Sequence, residues 1–132
     1  MKTLLLSLLL ATSAFAGDMK LNLVSAEQVS QWQKDTQTKT YIFDANNKDT
    51  RTKEGVVPGA MLLPSHTQKD VVKALPAKNA NPRLVFYCAN EQCMASHAAA
   101  EHAIKAGYSS VYVMSDGIMG WNKKGFKAQK FN

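Results

Sequence analysis

The sequence predicts an α/β domain: a central, mostly parallel sheet of about five strands, flanked by helices on both faces. Three observations carry that expectation. Short aromatic or β-branched runs (Tyr41-Ile42-Phe43, Leu84-Val85-Phe86-Tyr87, Ser110 to Met114) alternate with segments of helical character, the order that parallel strands joined by crossover helices require. Leu84 to Cys88 is apolar without a break, as suits a strand covered on both faces. The alanine-rich stretch from Ala95 to Ala106 closes on Gly107, a helix with its stop signal.

Taken in order, Leu21 to Val24 reads as a short edge strand. Ser25-Ala26-Glu27-Gln28 follows as a capping box, with Ser25 as N-cap and Gln28 at the third helical position. That helix is expected to run to about Lys34 and to bury Val29 and Trp32. Tyr41 to Phe43 is a strand ending at Asp44, and Ala45 to Glu54 is expected to be a polar loop. A turn at Val57-Pro58-Gly59 leads to a third short strand, Ala60 to Leu63. Gln68 to Leu75 is a helix stopped by Pro76, and Asn79 to Pro82 is a turn. Arg83 to Tyr87 and Ser110 to Met114 complete the strands, and Gly117 to Lys124 forms a final helical turn around Trp121.

The first sixteen residues have the pattern of a cleavable export signal. Lys2 is the positive start, Leu4 to Ala11 the apolar centre, and Ala14-Phe15-Ala16 the small-x-small cleavage site. The apolar stretch is too short to span a bilayer. The expectation is therefore a signal peptide over 1–16, a single domain over 17–132, and a periplasmic or secreted destination. The mature 116 residues suffice for one core but not two. Full-length, the chain carries 16 basic and 10 acidic side chains, scattered and without arginine-aromatic interleaving. That pattern reads as a solvated basic surface, and no nucleic-acid partner is expected.

Chemistry concentrates at Cys88. A thiol at the carboxyl end of a buried strand, facing a helix start, lies where α/β folds bind ligands. Helix amides and the helix dipole there favour a thiolate, a persulfide or a bound oxyanion. The other cysteine, Cys93, is only five positions on. A disulfide closing so small a loop restrains the unfolded chain little, so the pair reads as chemistry rather than reinforcement. Cys93 either resolves or receives sulfur from Cys88, or turns away and packs the loop.

Taken together, Asp44 at a strand end, Val57-Pro58-Gly59-Ala60, Val85 to Cys88, Ala106-Gly107-Tyr108 and Gly117-Ile118-Met119-Gly120-Trp121 resemble a single rhodanese domain. The resemblance spans about Leu21 to Phe126. It implies a rhodanese-like fold and a sulfurtransferase whose Cys88 carries sulfane sulfur as a persulfide. It further implies a substrate loop of Ala89, Asn90, Glu91, Gln92, Cys93 and Met94. The implied partners are a small sulfur donor, thiosulfate or another sulfane or persulfide, and a thiol or thiophilic acceptor, small or protein. No cofactor is implied, because the persulfide is itself the carrier.

The sequence also departs from the family pattern. Val56 replaces the histidine common before the Pro-Gly turn, and Asn46 replaces an arginine two residues after Asp44. The loop from Ala89 to Met94 has no cation, and Glu91 repels a dianion. Related phosphatases of the fold need an arginine six positions after the cysteine, where this chain has Met94; without that bidentate fork, phosphoryl chemistry loses its main clamp. Cys88, Cys93, Met94, His97 and His102 are a soft-ligand cluster in sequence, but His97 and His102 do not share a helix face, and no metal site is assigned. Asp44 is expected to orient the neighbouring loop or Arg51. Met114 and Met119 are expected at the mouth of the site. Two alternatives stand beside sulfur transfer: a thiol-disulfide redox protein using Cys88 and Cys93, and a non-catalytic binding module.

Overall fold

The computed structural model describes residues 21–132; the expected signal segment, 1–16, lies outside them. Five strands form one all-parallel sheet: β1 (Asn22–Val24), β2 (Thr40–Asp44), β3 (Met61–Leu62), β4 (Arg83–Tyr87) and β5 (Val111–Met114). Their spatial order is β1-β5-β4-β2-β3, so β4 is central. Four helices connect them, α1 (Ala26–Trp32), α2 (Lys48–Glu54), α3 (Gln68–Ala74) and α4 (Ala95–Lys105), and α5 (Gly117–Lys123) follows β5.

Side chains alternating along β4 divide the core in two. Leu84 and Phe86 face α3 and α4, where Val71, Ala99, Ala100 and Ala103 pack against Phe43 and Val113. Val85 and Tyr87 face α1 and α5, joining Ala26, Val29, Met114, Ile118 and Trp121. The three buried alanines of α4 bring that helix close to the sheet, and α4 begins next to the end of β4. Among the described residues, no helix is long and apolar enough to cross a membrane.

The capping box forms as expected, with the Gln28 amide donating to Ser25 Oγ at 3.1 Å. Three expectations are corrected. Ala45 to Glu54 is not simply a loop. Asn47 accepts from the Thr50 amide at 2.9 Å and starts α2, and the side chain buried from that helix is Arg51. A helix held by a polar cap and a buried guanidinium shows no apolar stripe. The first helix stops at Trp32 rather than Lys34, and Trp32 is only half-buried, its ring covered by the Arg83 guanidinium at 4.2 Å. Met114 does not approach the mouth of the site; it is fully buried beneath α5.

Candidate active site

Cys88 directly follows the central strand and is 1% exposed. Its backbone carbonyl accepts from Ile118 N at 2.9 Å, and the next carbonyl, of Ala89, accepts from Met119 N at 3.0 Å. The start of α5 thus clamps the chain just beyond the cysteine. Gly117 makes this possible. Its φ is +63°, and a Cβ there would lie 2.5 Å from the Cys88 carbonyl oxygen and 2.6 Å from Ala89 backbone atoms.

The Cys88 sulfur lies 3.2 Å from Ser96 Oγ and 3.2 Å from the Cys93 carbonyl oxygen. Ser96, 2% exposed, is in the first turn of α4. No side chain caps that helix, and the Ser96 hydroxyl brings its first turn beside the sulfur. Sequence reading missed Ser96. One signal was available: a hydroxyl among alanines at a helix start is either a cap or a directed donor.

Cys93 has turned inward. Its sulfur is joined to that of Cys88 in a disulfide, with the two Cα atoms 6.2 Å apart, inside the range a disulfide accepts. The loop folds back through Asn90, whose carbonyl accepts from Cys93 N at 3.1 Å and whose Oδ1 accepts from Gln92 N at 3.0 Å. Two backbone amides of the implied substrate loop, those of Gln92 and Cys93, are therefore engaged within it. Cys93 keeps part of its surface in solvent, unlike Cys88. Bonded sulfurs leave Ser96 as the donor to Cys88, since that sulfur carries no hydrogen.

The remaining loop residues divide by position. Ala89 and Asn90 are half-buried, whereas Glu91, Gln92 and Met94 are exposed, Met94 at 62%. A groove of about 800 Å³ runs along the outer side of the loop, lined by Asn90, Glu91, Gln92, Asp116, Met119 and Lys124 among others. Met119 is exposed at the rim of this groove, and Asn90 Nδ2 approaches its sulfur at 3.6 Å. Cys88 does not line this groove. Among the described residues, no three His, Cys, Asp or Glu side chains converge as a metal-ligand set.

Beneath the cysteine lies a buried polar network. Tyr87 donates to Asp44 Oδ2 at 2.6 Å and accepts from Val57 N at 3.0 Å. Asp44 Oδ1 accepts from Arg51 Nε at 3.2 Å and from Asn46 N at 2.7 Å. Arg51 also donates to the carbonyls of Asp44 and Leu63, at 2.9 and 3.0 Å. Burial pushes the Tyr87 phenol well above its ordinary pKa, and the Asp44 carboxylate pushes it further. Asp44 thus orients Arg51 and the loop after β2, as the sequence implied.

Over residues 25–124 the chain matches the family of the rhodanese-like domain. The chain belongs to that family. A rhodanese-like domain of the Alr3790 protein from Anabaena sp. superimposes on it with a TM-score of 0.64 at 19% identity, covering 86% of this chain and 81% of that one. A rhodanese-like domain protein from Staphylococcus aureus gives 0.60 at 17%, covering 83% and 99%. A Rhodopseudomonas palustris protein described as a possible tyrosine phosphatase gives 0.64 at 18%, covering 83% and 85%. At these identities the likeness concerns the fold alone. No curated protein matches the chain. Within this rhodanese-like domain, Cys88 and Cys93 are the paired cysteines of a C-x-x-x-x-C loop.

Proposed function

We propose that this rhodanese-like domain transfers sulfane sulfur, with Cys88 as nucleophile and carrier. One observation carries the reading: the Cys88 sulfur lies at the end of the central strand, against the Ser96 hydroxyl at 3.2 Å and the uncapped start of α4. Once the disulfide is reduced, both features favour thiolate over thiol. The thiolate attacks the outer sulfur of a sulfane donor. The donor's sulfur–sulfur bond breaks, the remainder leaves with the electron pair, and Cys88 keeps the sulfur as a persulfide. An acceptor thiolate then takes the outer sulfur and returns Cys88 to thiolate. The loop offers Glu91 and no cation, which favours a persulfide or polysulfide donor over the thiosulfate dianion.

A second reading, thiol-disulfide exchange, is favoured by the Cys88–Cys93 bond itself. A phosphatase is disfavoured by Met94, which is exposed and apolar where a phosphate loop needs an arginine fork. The proposal includes export, on the pattern of residues 1–16; recovery of an uncleaved chain from the cytoplasm alone would remove that element.

The deciding experiment is intact mass of the reduced, desalted protein before and after thiosulfate or polysulfide. Sulfur transfer requires the gain of one sulfur atom's mass in Cys93→Ser and its absence in Cys88→Ser. It also requires that Cys88→Ser abolish turnover with an acceptor thiol. Near-normal turnover in Cys88→Ser would refute the assignment, and loss of two hydrogens in wild type with no sulfur gain in Cys93→Ser would leave only the redox reading.

A further inference from the structure

We infer that Cys93 attacks the inner sulfur of the Cys88 persulfide and expels the carried sulfur as hydrosulfide, making the domain an internal sulfane reductase. The inference rests on the carrier role proposed above for Cys88. Its ground is the bonded state of the loop. The fold brings Cys93 Sγ onto Cys88 Sγ itself, with the intervening turn closed by two hydrogen bonds to Asn90. That is the geometry left by attack on the inner sulfur. A relay onto Cys93 needs a different arrangement, with an additional sulfur atom standing between the two.

The step balances. Cys88–S–S⁻ and HS–Cys93 give Cys88–S–S–Cys93 and HS⁻. The Cys93 proton goes to the departing sulfur, the bond between Cys88 Sγ and the carried sulfur breaks, and a new S–S bond forms between the cysteines. The sulfane sulfur gains two electrons and the cysteine pair loses two, so no outside oxidant or reductant enters the step. Hydrosulfide is a good leaving group at neutral pH, and the Ser96 hydroxyl beside Cys88 Sγ polarises the sulfur under attack.

The product is the disulfide seen here, and exposure sets how it is reset. Cys88 is 1% exposed, whereas Cys93 retains contact with solvent. An external thiolate therefore attacks Cys93, forming a mixed disulfide there and releasing Cys88 as thiolate against Ser96 and α4. A second thiol then attacks the external sulfur of that mixed disulfide, frees Cys93 and leaves as an external disulfide. Each cycle consumes two thiols and converts one sulfane sulfur to sulfide.

The test is a single turnover of the reduced, reductant-free protein with excess polysulfide or thiosulfate. Free hydrosulfide, thiols and intact mass are followed together. Wild type should release one hydrosulfide per chain while losing both thiols, at a rate independent of protein concentration. Cys93→Ser should stop at the persulfide and release no more hydrosulfide than Cys88→Ser. Wild type retaining the added sulfur as long as Cys93→Ser does, or a release rate proportional to protein concentration, would overturn the inference while leaving the carrier role intact. Absence of any persulfide in Cys93→Ser would instead sink the carrier role. The hydrosulfide stoichiometry, the loss of both thiols and the concentration dependence are read in wild type and do not depend on how well the variant folds.

Discussion

Tyr87, the last residue of the central strand, donates its phenolic hydrogen to Asp44 at 2.6 Å, one residue ahead of Cys88. The pair ties β2 to β4, and through Val57 and Arg51 it holds the turn before β3 and the helix α2. The position of Cys88 is thus secured from below by a carboxylate with no contact with the sulfur.

Removing that carboxylate's charge should be costly. Asp44→Asn leaves the buried Arg51 guanidinium uncompensated, a loss of about 3–5 kcal/mol. Tyr87→Phe leaves the Val57 amide and one Asp44 oxygen without their partner, a loss of about 1–3 kcal/mol. Urea unfolding of both variants measures the order; an Asp44→Asn loss no larger than that of Tyr87→Phe contradicts it.

Ser96→Ala should slow alkylation of Cys88 by about one to two orders of magnitude at any pH where thiolate is the minority form, because a hydrogen bond to a charged group contributes about 1.5–3 kcal/mol. The rate is read in a Cys93→Ser background, where Cys88 is the sole thiol. The profile should shift to higher pH with its plateau unchanged. A uniform drop across all pH values would mean that Ser96 controls access and not charge.

Gly117→Ala should destabilise the domain by more than Gly59→Ala. Both positions have positive φ, +63° and +80°, so each alanine bears the left-handed backbone penalty of about 1–2 kcal/mol. At Gly59 nothing lies within 4 Å of a new Cβ, whereas at Gly117 the Cβ meets the Cys88 and Ala89 backbone. Equal unfolding midpoints would show that α5 yields freely. A larger loss at Gly117, together with altered Cys88 reactivity, fits the clamp.

The link between α1 and α5 should depend on pH at both ends of the range. The hydrogen bond from Lys124 holds the Glu27 carboxyl below its ordinary 4.5, and bonds to Glu27 and Asp116 hold Lys124 above its ordinary 10.5. The Glu27 contribution is present above pH 4.5 and is lost as pH falls through the lowered value. That of Lys124 is present below pH 10.5 and is lost as pH rises through the raised value. Because these groups are exposed, the effect is small and screened by salt. The gap in urea midpoint between wild type and Lys124→Met should shrink from pH 7 to pH 3; an unchanged gap would exclude the ion pair as its source.

Much of the site was legible because its signals are local. The apolar run of β4 and the alanines of α4 placed Cys88 at a strand end facing a helix start, which is where it lies. Asp44 was read correctly as an orienting group because a carboxylate at a strand end needs a partner, and Arg51 was at hand. The segment 45–54 was misread because α2 draws its support from an Asn47 cap and one buried guanidinium, neither of which leaves an apolar period. Met114 is expected at the mouth of the site, but strand alternation turns it into the core.

The sequence by itself determined the alternation of strands and helices, the family and the identity of the strand-end cysteine, since hydrophobic period, turn residues and motif order are written along the chain. The tertiary structure alone decided that Cys93 turns in to bond Cys88, that Ser96 stands beside that sulfur, and that Gly117 lets α5 close on the loop. These are distances between groups brought together by the packing of α4 and α5 against one sheet. Spacing along the chain left two courses open for Cys93; the closed turn at Asn90 selects one.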